Sequence, residues 1–296
     1  MPYLILGGAQ VAVGAAAIFA RFALGGAGPL AVSASRLAIA AIALLVFAAF
    51  ARTRAPRRAT LRQNVVLAVA GVALALHFAG WIWSLEYTTI AISTLLVCTS
   101  PIWTALYDAI VRKRGLSPAA MAGFAGGAVG AIMVVGLDST PPPNAGHQWL
   151  GVLLAIVGAI GIAAYLLLVR EVRADLGTRS IVTRTYFWAA LALVLASLIA
   201  RQAPPPLDAT AAWGGILAMA LISQLLGHTA INASLRWFSP SAVSFATLLE
   251  PVFAAILALI VFHEALPLPA ILGGVILLAS IGVVLREERL VNWMAP

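Results

Sequence analysis

Charge is what this chain has least of. Asp, Glu, Lys and Arg make up 9% of its 296 residues, while 62% are hydrophobic. A soluble domain of this length needs polar residues on its outer faces to meet water, so that class is excluded. Cysteine is nearly missing too. Cys98, the one present, leaves no internal disulfide, and its place inside an apolar run points to packing. No long polar stretch remains for a domain outside a membrane, so a single polytopic domain, 1–296, is expected. Catalytic signatures are also missing. There is no G-x-S-x-G elbow and no P-loop. His263-Glu264 runs on into Ala-Leu-Pro without the second histidine of a zinc-protease motif. The sequence therefore predicts no enzyme, no metal and no cofactor.

What the chain does have is ten apolar stretches. Each approaches the about 20 residues that cross about 30 Å of hydrocarbon. They cover 3–21, 30–50, 64–84, 89–110, 118–137, 149–169, 180–200, 212–232, 241–262 and 268–286. The first begins beside Met1 without a basic leader, and a retained helix is expected despite the small residues Ala15-Ala16-Ala17. Turn chemistry punctuates the runs at Gly25-Gly26, Pro141-Pro142-Pro143, Pro204-Pro205-Pro206 and Ser239-Pro240.

The last five stretches are a degenerate copy of the first five. A shift of 150 positions lays Ser84-Leu85 on Ser234-Leu235, Tyr87 on Trp237, Pro101 on Pro251, Trp103 on Phe253 and Gly123 on Gly273. The repeats run from about 1 to 137 and from about 149 to 286, joined by the polar, Pro-rich link Asp138–Gln148, with a short tail at 287–296. An odd number of spans per copy gives the copies opposite orientations. The fold class predicted is thus an all-α membrane protein of two inverted five-helix repeats, an architecture of secondary transporters.

Basic residues set the orientation. Of the 18 Lys and Arg, 14 lie in the loops after even-numbered spans or in the C-terminal tail, including Arg52, Arg112, Lys113, Arg170 and Arg236. This skew, in loops so short, predicts both termini in the cytoplasm of a cell whose inner membrane holds the protein. The net charge of +8 follows those loops and forms no patch with interleaved aromatics. Membrane lipid is the expected partner of that charge, and nucleic acid is not.

Ten spans, halves of about 150 residues, a proline in the fourth span and Glu250-Pro251 in the ninth resemble the drug/metabolite transporter superfamily. Within it the chain looks like the EamA group, and particularly the bacterial aromatic amino-acid exporters. The resemblance covers essentially the whole chain. It implies a central cavity between the halves, with the fifth and tenth spans peripheral, and export of amino acids.

Several residues are candidates for carrying transport. Pro101 and Pro251 each lack an N–H and free a carbonyl four residues back, at Val97 and Thr247. Matched breaks in corresponding spans point to a midplane site and make both prolines candidate hinges. Glu250 is the one acidic residue near the middle of a span, about 13 Å deep at 1.5 Å per residue. A charge there costs about 2.5–3.5 kcal/mol or more, so a neutral acid is expected unless a cation is near; a proton carrier or a partner for a substrate ammonium both fit. His77 shares a helical face with Trp81 and Ser84. Gln224, His228 and Asn232 form an i, i+4, i+8 stripe in the eighth span. Trp103 and Tyr165 sit deep enough to line an apolar cavity. Trp149, Trp213 and Trp237 read as interfacial anchors.

Arg36, only about six residues inside the outer end of the second span, can snorkel outward or attract a carboxylate from the outer side; Arg184, closer still to the cytoplasmic end, is expected to snorkel. The ladder Ala119, Gly123, Gly127 and Ala131 permits close helix packing, expected within the monomer rather than in more than a weak dimer.

The function these features predict is a secondary carrier for neutral amino acids, including aromatic ones, threonine and methionine, and for related metabolites. The competing readings are efflux of cationic drugs and, from another class, lipid scrambling or a membrane scaffold.

Overall fold

The computed structural model describes residues 2–50, 59–111, 113, 118–136, 145–234, 237, 246–247, 249–264 and 267–294. Arg52, Arg112 and Arg236, the Pro141-Pro142-Pro143 run, Ser239-Pro240 and the first residues of the ninth apolar stretch lie outside them.

Among the described residues all regular structure is helical. In chain order the helices are α1 (Pro2–Gly14), α2 (Ala16–Leu24), α3 (Pro29–Phe50), α4 (Leu61–Ser84), α5 (Ile90–Val97), α6 (Ser100–Ile110) and α7 (Pro118–Gly136). Then come α8 (Gln148–Val172), α9 (Thr178–Ile199), α10 (Thr210–Ala218), a π-helical segment (Met219–His228), α11 (Thr229–Ser234), α12 (Glu250–Phe262) and α13 (Leu268–Met294). Six stretches are long and apolar enough to cross a membrane: Pro2–Leu24, Pro29–Phe47, Leu61–Ser84, Gln148–Val172, Thr178–Ile199 and Thr210–Ser234. Four shorter apolar helices accompany them: Ile90–Thr104, Met121–Gly130, Glu250–Phe262 and Ile271–Val283.

Local chemistry explains where these helices start and stop. Thr60 caps α4 by accepting from the Gln63 N–H, while the Gln63 side chain accepts from the Thr60 N–H, a complete capping box. Thr89 caps α5 in the same manner through Ile92 N. Pro101 and Pro251 each fall in the first turn of a helix, α6 and α12 respectively, where a missing N–H costs nothing. Pro101 therefore marks a break at Cys98-Thr99 rather than a bend in a continuous helix. The two proline-marked starts meet across the bundle, where Cys98 Sγ points at the Thr247 carbonyl, 3.8 Å away. That carbonyl is the one Pro251 leaves without its usual donor.

Packing joins the halves. α4 lies along α8, α7 along α13, and α3 along α9. α1 and α2 run beside α10, the π segment and α11, and α5 packs on both α8 and α12. α12 packs on α1 and α2, and with that pair included, exchanging the first five apolar stretches for the last five maps this set of pairs onto itself. The exterior is apolar, with Phe47, Leu153, Leu195, Leu226 and Ile260 exposed, while Ser33, Arg36, His77, Thr185 and Gln224 are buried. Such a surface suits lipid rather than water. The small residues of α7 face α13: a Cβ on Gly130 would stand 2.7 Å from both Gly273 O and Leu277 N.

One of the tight crossings is α4 on α8. A Cβ on Gly161 would lie 2.7 Å from His77 N and 2.9 Å from Ala73 O, and one on Gly80 would lie 2.6 Å from Leu154 O. These obstacles are backbone, so they cannot rotate away. Gly161→Val should destabilise the detergent-solubilised protein by about 1–3 kcal/mol, lowering its thermal midpoint. Gly214→Val, with nothing within 4 Å of its Cβ, should leave the midpoint in place. Equal midpoints for both variants would show that this crossing is looser than described.

Candidate functional site

At the centre of the bundle α3 turns Val32, Arg36 and Ala40, spaced by four, to the interior, and all three are 0% exposed. This corrects the expectation that Arg36 can snorkel. Its helical face packs against the rest of the bundle, and an inward side chain has no path to an aqueous surface. The guanidinium carbon lies 4.1 Å from the centre of the Phe78 ring and 5.6 Å from that of Trp81. Contacts of this kind contribute about 2 kcal/mol or more when desolvated.

One edge of the guanidinium is held by the second half of the chain, where Nη2 donates to Gln224 Oε1 at 2.8 Å. Arg can only donate, so the amide oxygen must face it and the amide nitrogen must turn away. Gln224 Nε2, Arg36 Nε and Arg36 Nη1 are all buried without a hydrogen-bond acceptor. Glu250 is within electrostatic reach of Arg36, yet among the described residues Arg36 makes no ion pair. Glu250 opens α12, where the helix N-terminus favours a carboxylate.

His77 is buried one turn before Trp81. Its Nδ1 lies 2.9 Å from Gly158 O, and a carbonyl only accepts, so Nδ1 carries the proton and Nε2 of the neutral ring is left as an acceptor. The His77 ring stacks on Trp81 with centroids 6.5 Å apart and meets His228 edge-on at the same separation. His228 also stands edge-on to Phe78, at 5.5 Å. His77, Trp81, Gln224 and His228, expected at the site, are thus brought together around Arg36.

The other expected residues stand further out. The Trp103 indole donates to Thr99 Oγ1 of the preceding turn at 3.2 Å. The Tyr165 hydroxyl is buried beside Thr185 and Asn232, one layer behind Tyr186. Asn232 donates back to the His228 carbonyl at 2.9 Å and does not extend the stripe towards Arg36. That stripe assumed α-helical spacing. Residues 219–228 are wound as a π helix, with Thr229 N–H bonded to Gln224 O five residues back, and this shifts the register of everything after Gln224.

Two further buried groups belong to this centre: Phe78, and Tyr186, whose hydroxyl stands near Gln224 and Thr229 without reaching hydrogen-bond geometry; Gln10 of α1 is buried as well. Gln10 has neither amide atom satisfied and shares a helix face with Gly14, which packs on the Glu250 carbonyl. Its signal in the sequence is a lone glutamine in an apolar run.

One end of the bundle is tied across the halves. Arg21 of α2 forms an ion pair with Glu264, just after α12, at 3.1 Å. Arg21 Nη2 also donates to the Thr88 carbonyl at 2.9 Å, and Glu264 Oε2 accepts from Ile90 N at 3.1 Å. Phe22 and Phe262 pack beside them, centroids 5.4 Å apart. At the same end Gln202 Oε1 accepts from Leu30 N at 2.8 Å and from Ala31 N at 3.3 Å, capping α3. A Cβ at position 28 would sit 2.5 Å from that oxygen, so a side chain there would push the Gln202 amide aside. At the opposite end Arg184 donates to Asn64 Oδ1 at 3.2 Å and to Ser180, pinning α9 to α4.

A sequence profile of the EamA-like transporter family matches residues 1–136 and again 149–286. The chain belongs to the EamA-like transporter family. That places it in the drug/metabolite transporter superfamily, among transporters and not enzymes, and makes it a multi-pass membrane protein. It is similar to the uncharacterized transporter YyaM of Bacillus subtilis strain 168, with 26% identity over 264 residues, 86% of this chain and 84% of the relative. A solved crystal structure 18% identical to it superposes with a TM-score of 0.65 over 98% of both chains, which shows the shared fold.

In this EamA-family chain the Arg21–Glu264 pair is a measurable link between the halves. Arg21→Met and Glu264→Gln should each lower the thermal midpoint, and the double variant should lose less than the sum, with a coupling of roughly 0.5–3 kcal/mol. Strict additivity would mean that the pair does not hold this end together.

Proposed function

We propose that this chain is a secondary carrier for small zwitterions, chiefly neutral amino acids, including aromatic ones, threonine and methionine, and related metabolites. In this reading the four shorter apolar helices also span, giving ten crossings in two inverted five-helix repeats. Both termini face the cytoplasm of a cell whose inner membrane holds the protein. The carrier works by alternating access around the matched breaks at Pro101 and Pro251, and net flow is outward.

The observation that carries this reading is a buried polar centre supplied by both halves. Arg36 and Gln224 offer hydrogen-bond donors, while His77 Nε2 and Glu250 offer acceptors. Phe78, Trp81 and His228 surround them with aromatic faces. Donors and acceptors side by side within apolar walls complement a solute with a carboxylate, an ammonium and an uncharged side chain. A buried cation at the same centre disfavours cationic drugs, the nearest rival substrates.

Proteoliposomes containing the purified protein should take up labelled methionine, threonine or phenylalanine saturably. His77→Ala, which removes both the Gly158 bond and the acceptor, should abolish that flux. If Glu250 carries a proton, an imposed pH gradient should drive uptake in the parent and lose its effect in Glu250→Gln, while exchange without a gradient survives. Absence of amino-acid flux from folded protein, with flux of a cationic dye instead, would overturn the substrate assignment.

A further inference from the structure

We propose that Arg36 and Gln224 together form the receptor for a substrate carboxylate. The inference rests on the carrier reading above and makes it specific: the anionic end of the solute docks against the free donors of α3 and the π segment.

Every unsatisfied atom of this pair is a donor. Arg36 Nε and Nη1 and Gln224 Nε2 are buried and lack an acceptor, while the acceptor of the pair, Gln224 Oε1, is already taken by Arg36 Nη2 at 2.8 Å. A buried unmet donor costs about 1–3 kcal/mol, more when it is charged. The cluster therefore lacks one thing, an acceptor with more than one lone pair. A carboxylate supplies it: one oxygen on Nε–H or Nη1–H and the other on the neighbouring second N–H of Nη2 form a side-by-side pair. Neutral carbonyl or hydroxyl ligands would leave the positive charge uncompensated.

The surroundings hold the guanidinium ready for such a ligand. Phe78 and Trp81 flank its carbon at 4.1 and 5.6 Å, which fixes the plane and leaves the N–H edges to be occupied. Gln224 fixes one edge. Among the described residues no carboxylate fills the others: Glu250 interacts with Arg36 only through space, and the ion pair found there belongs to Arg21 and Glu264. A structural arginine would be expected to satisfy itself with a carboxylate or with backbone carbonyls. This one is held by aromatic faces and by an amide whose own donor is also unpaired.

The test needs no mutation at first. Ligand-dependent shifts in thermal midpoint and titration calorimetry on the detergent-purified protein compare each amino acid with its analogue lacking the carboxylate. The pairs are methionine with 3-methylthiopropylamine, phenylalanine with phenethylamine, and threonine with threoninol. 3-Phenylpropionate, which keeps the carboxylate and lacks the ammonium, is a further probe. The amines and the alcohol should bind at least about tenfold more weakly than the parents, as expected for a lost charge-assisted bond, and 3-phenylpropionate should still bind. In Arg36→Gln the preference for the carboxylate should vanish, and Arg36→Lys should keep part of it.

Amines binding as tightly as their parents would overturn the carboxylate receptor while leaving an amino-acid or amine carrier standing. Binding of 3-phenylpropionate without binding of any amino acid would do the reverse, supporting the receptor and sinking the zwitterion reading. No stabilisation by any carboxylate probe would overturn both. Should Arg36→Gln fail to fold, the comparison of ligands on the unaltered protein still decides the matter.

Discussion

A positive charge placed in the middle of an apolar bundle without a carboxylate against it governs the rest of this structure. Transferring a guanidinium from water into such surroundings costs several kcal/mol unless it is paired and hydrogen-bonded. Here the cost is offset piecemeal: Phe78 and Trp81 supply their π faces, Gln224 an oxygen, and Glu250 a more distant negative charge. These groups come from three elements besides that of Arg36 itself, so Arg36 can be accommodated only when α3, α4, the π segment and α12 are in place together. The centre is therefore as much a register mark for the bundle as a site.

The prolines act on the same centre from below. Pro251 places the start of α12 at Glu250, and Pro101 places the start of α6 next to Cys98. Both breaks leave carbonyls without helical donors, and one of these is met by the Cys98 thiol at Thr247. The thiol is a weak donor, so the two broken helices meet through a contact that costs little to part. In the proposed carrier, a break that ends beside the buried charge, with a soft contact across it, would give alternating access a place to pivot without exposing unmet backbone to lipid.

Much of this was legible in the sequence, and the misses have particular causes. Composition and run length dictated helices in lipid. The 150-residue shift found the paired prolines, and the i, i+4 relation of His77 to Trp81 put both on one inward face. Arg36 was misjudged because depth along a helix says nothing about which face its neighbours cover; Val32 and Ala40, small enough to be read as filler, line the same buried side. The π turn at Met219–His228 carries no residue signature; the stripe drawn through it at α spacing keeps His228 at the centre but loses Asn232. Phe78 and Tyr186 offered nothing to separate them from other packed aromatics. Trp103 was placed deep enough to line a cavity, while the bond of its indole to Thr99, one turn back, carried no sequence signal.

The position of α3 connects the site to the end of the bundle. The second half grips this helix twice, at its first turn through Gln202 and at Arg36 through Gln224. Leu30 and Arg36 are six residues apart, about 9 Å along the axis, so the two grips lie within two turns of each other. Nearby, Arg21 and Glu264 bind the halves again, with Ile90 N–H and the Thr88 carbonyl as further anchors. A rocking motion that opened this end would have to release Gln202 and the ion pair, and would pull on the helix whose buried arginine is held by Gln224. An acceptor arriving at the free edges of Arg36 would change the balance of forces on that helix at the point nearest the closure. In the proposed carrier, substrate charge and access to the site would thereby be coupled through one rigid element, with no need for a separate relay.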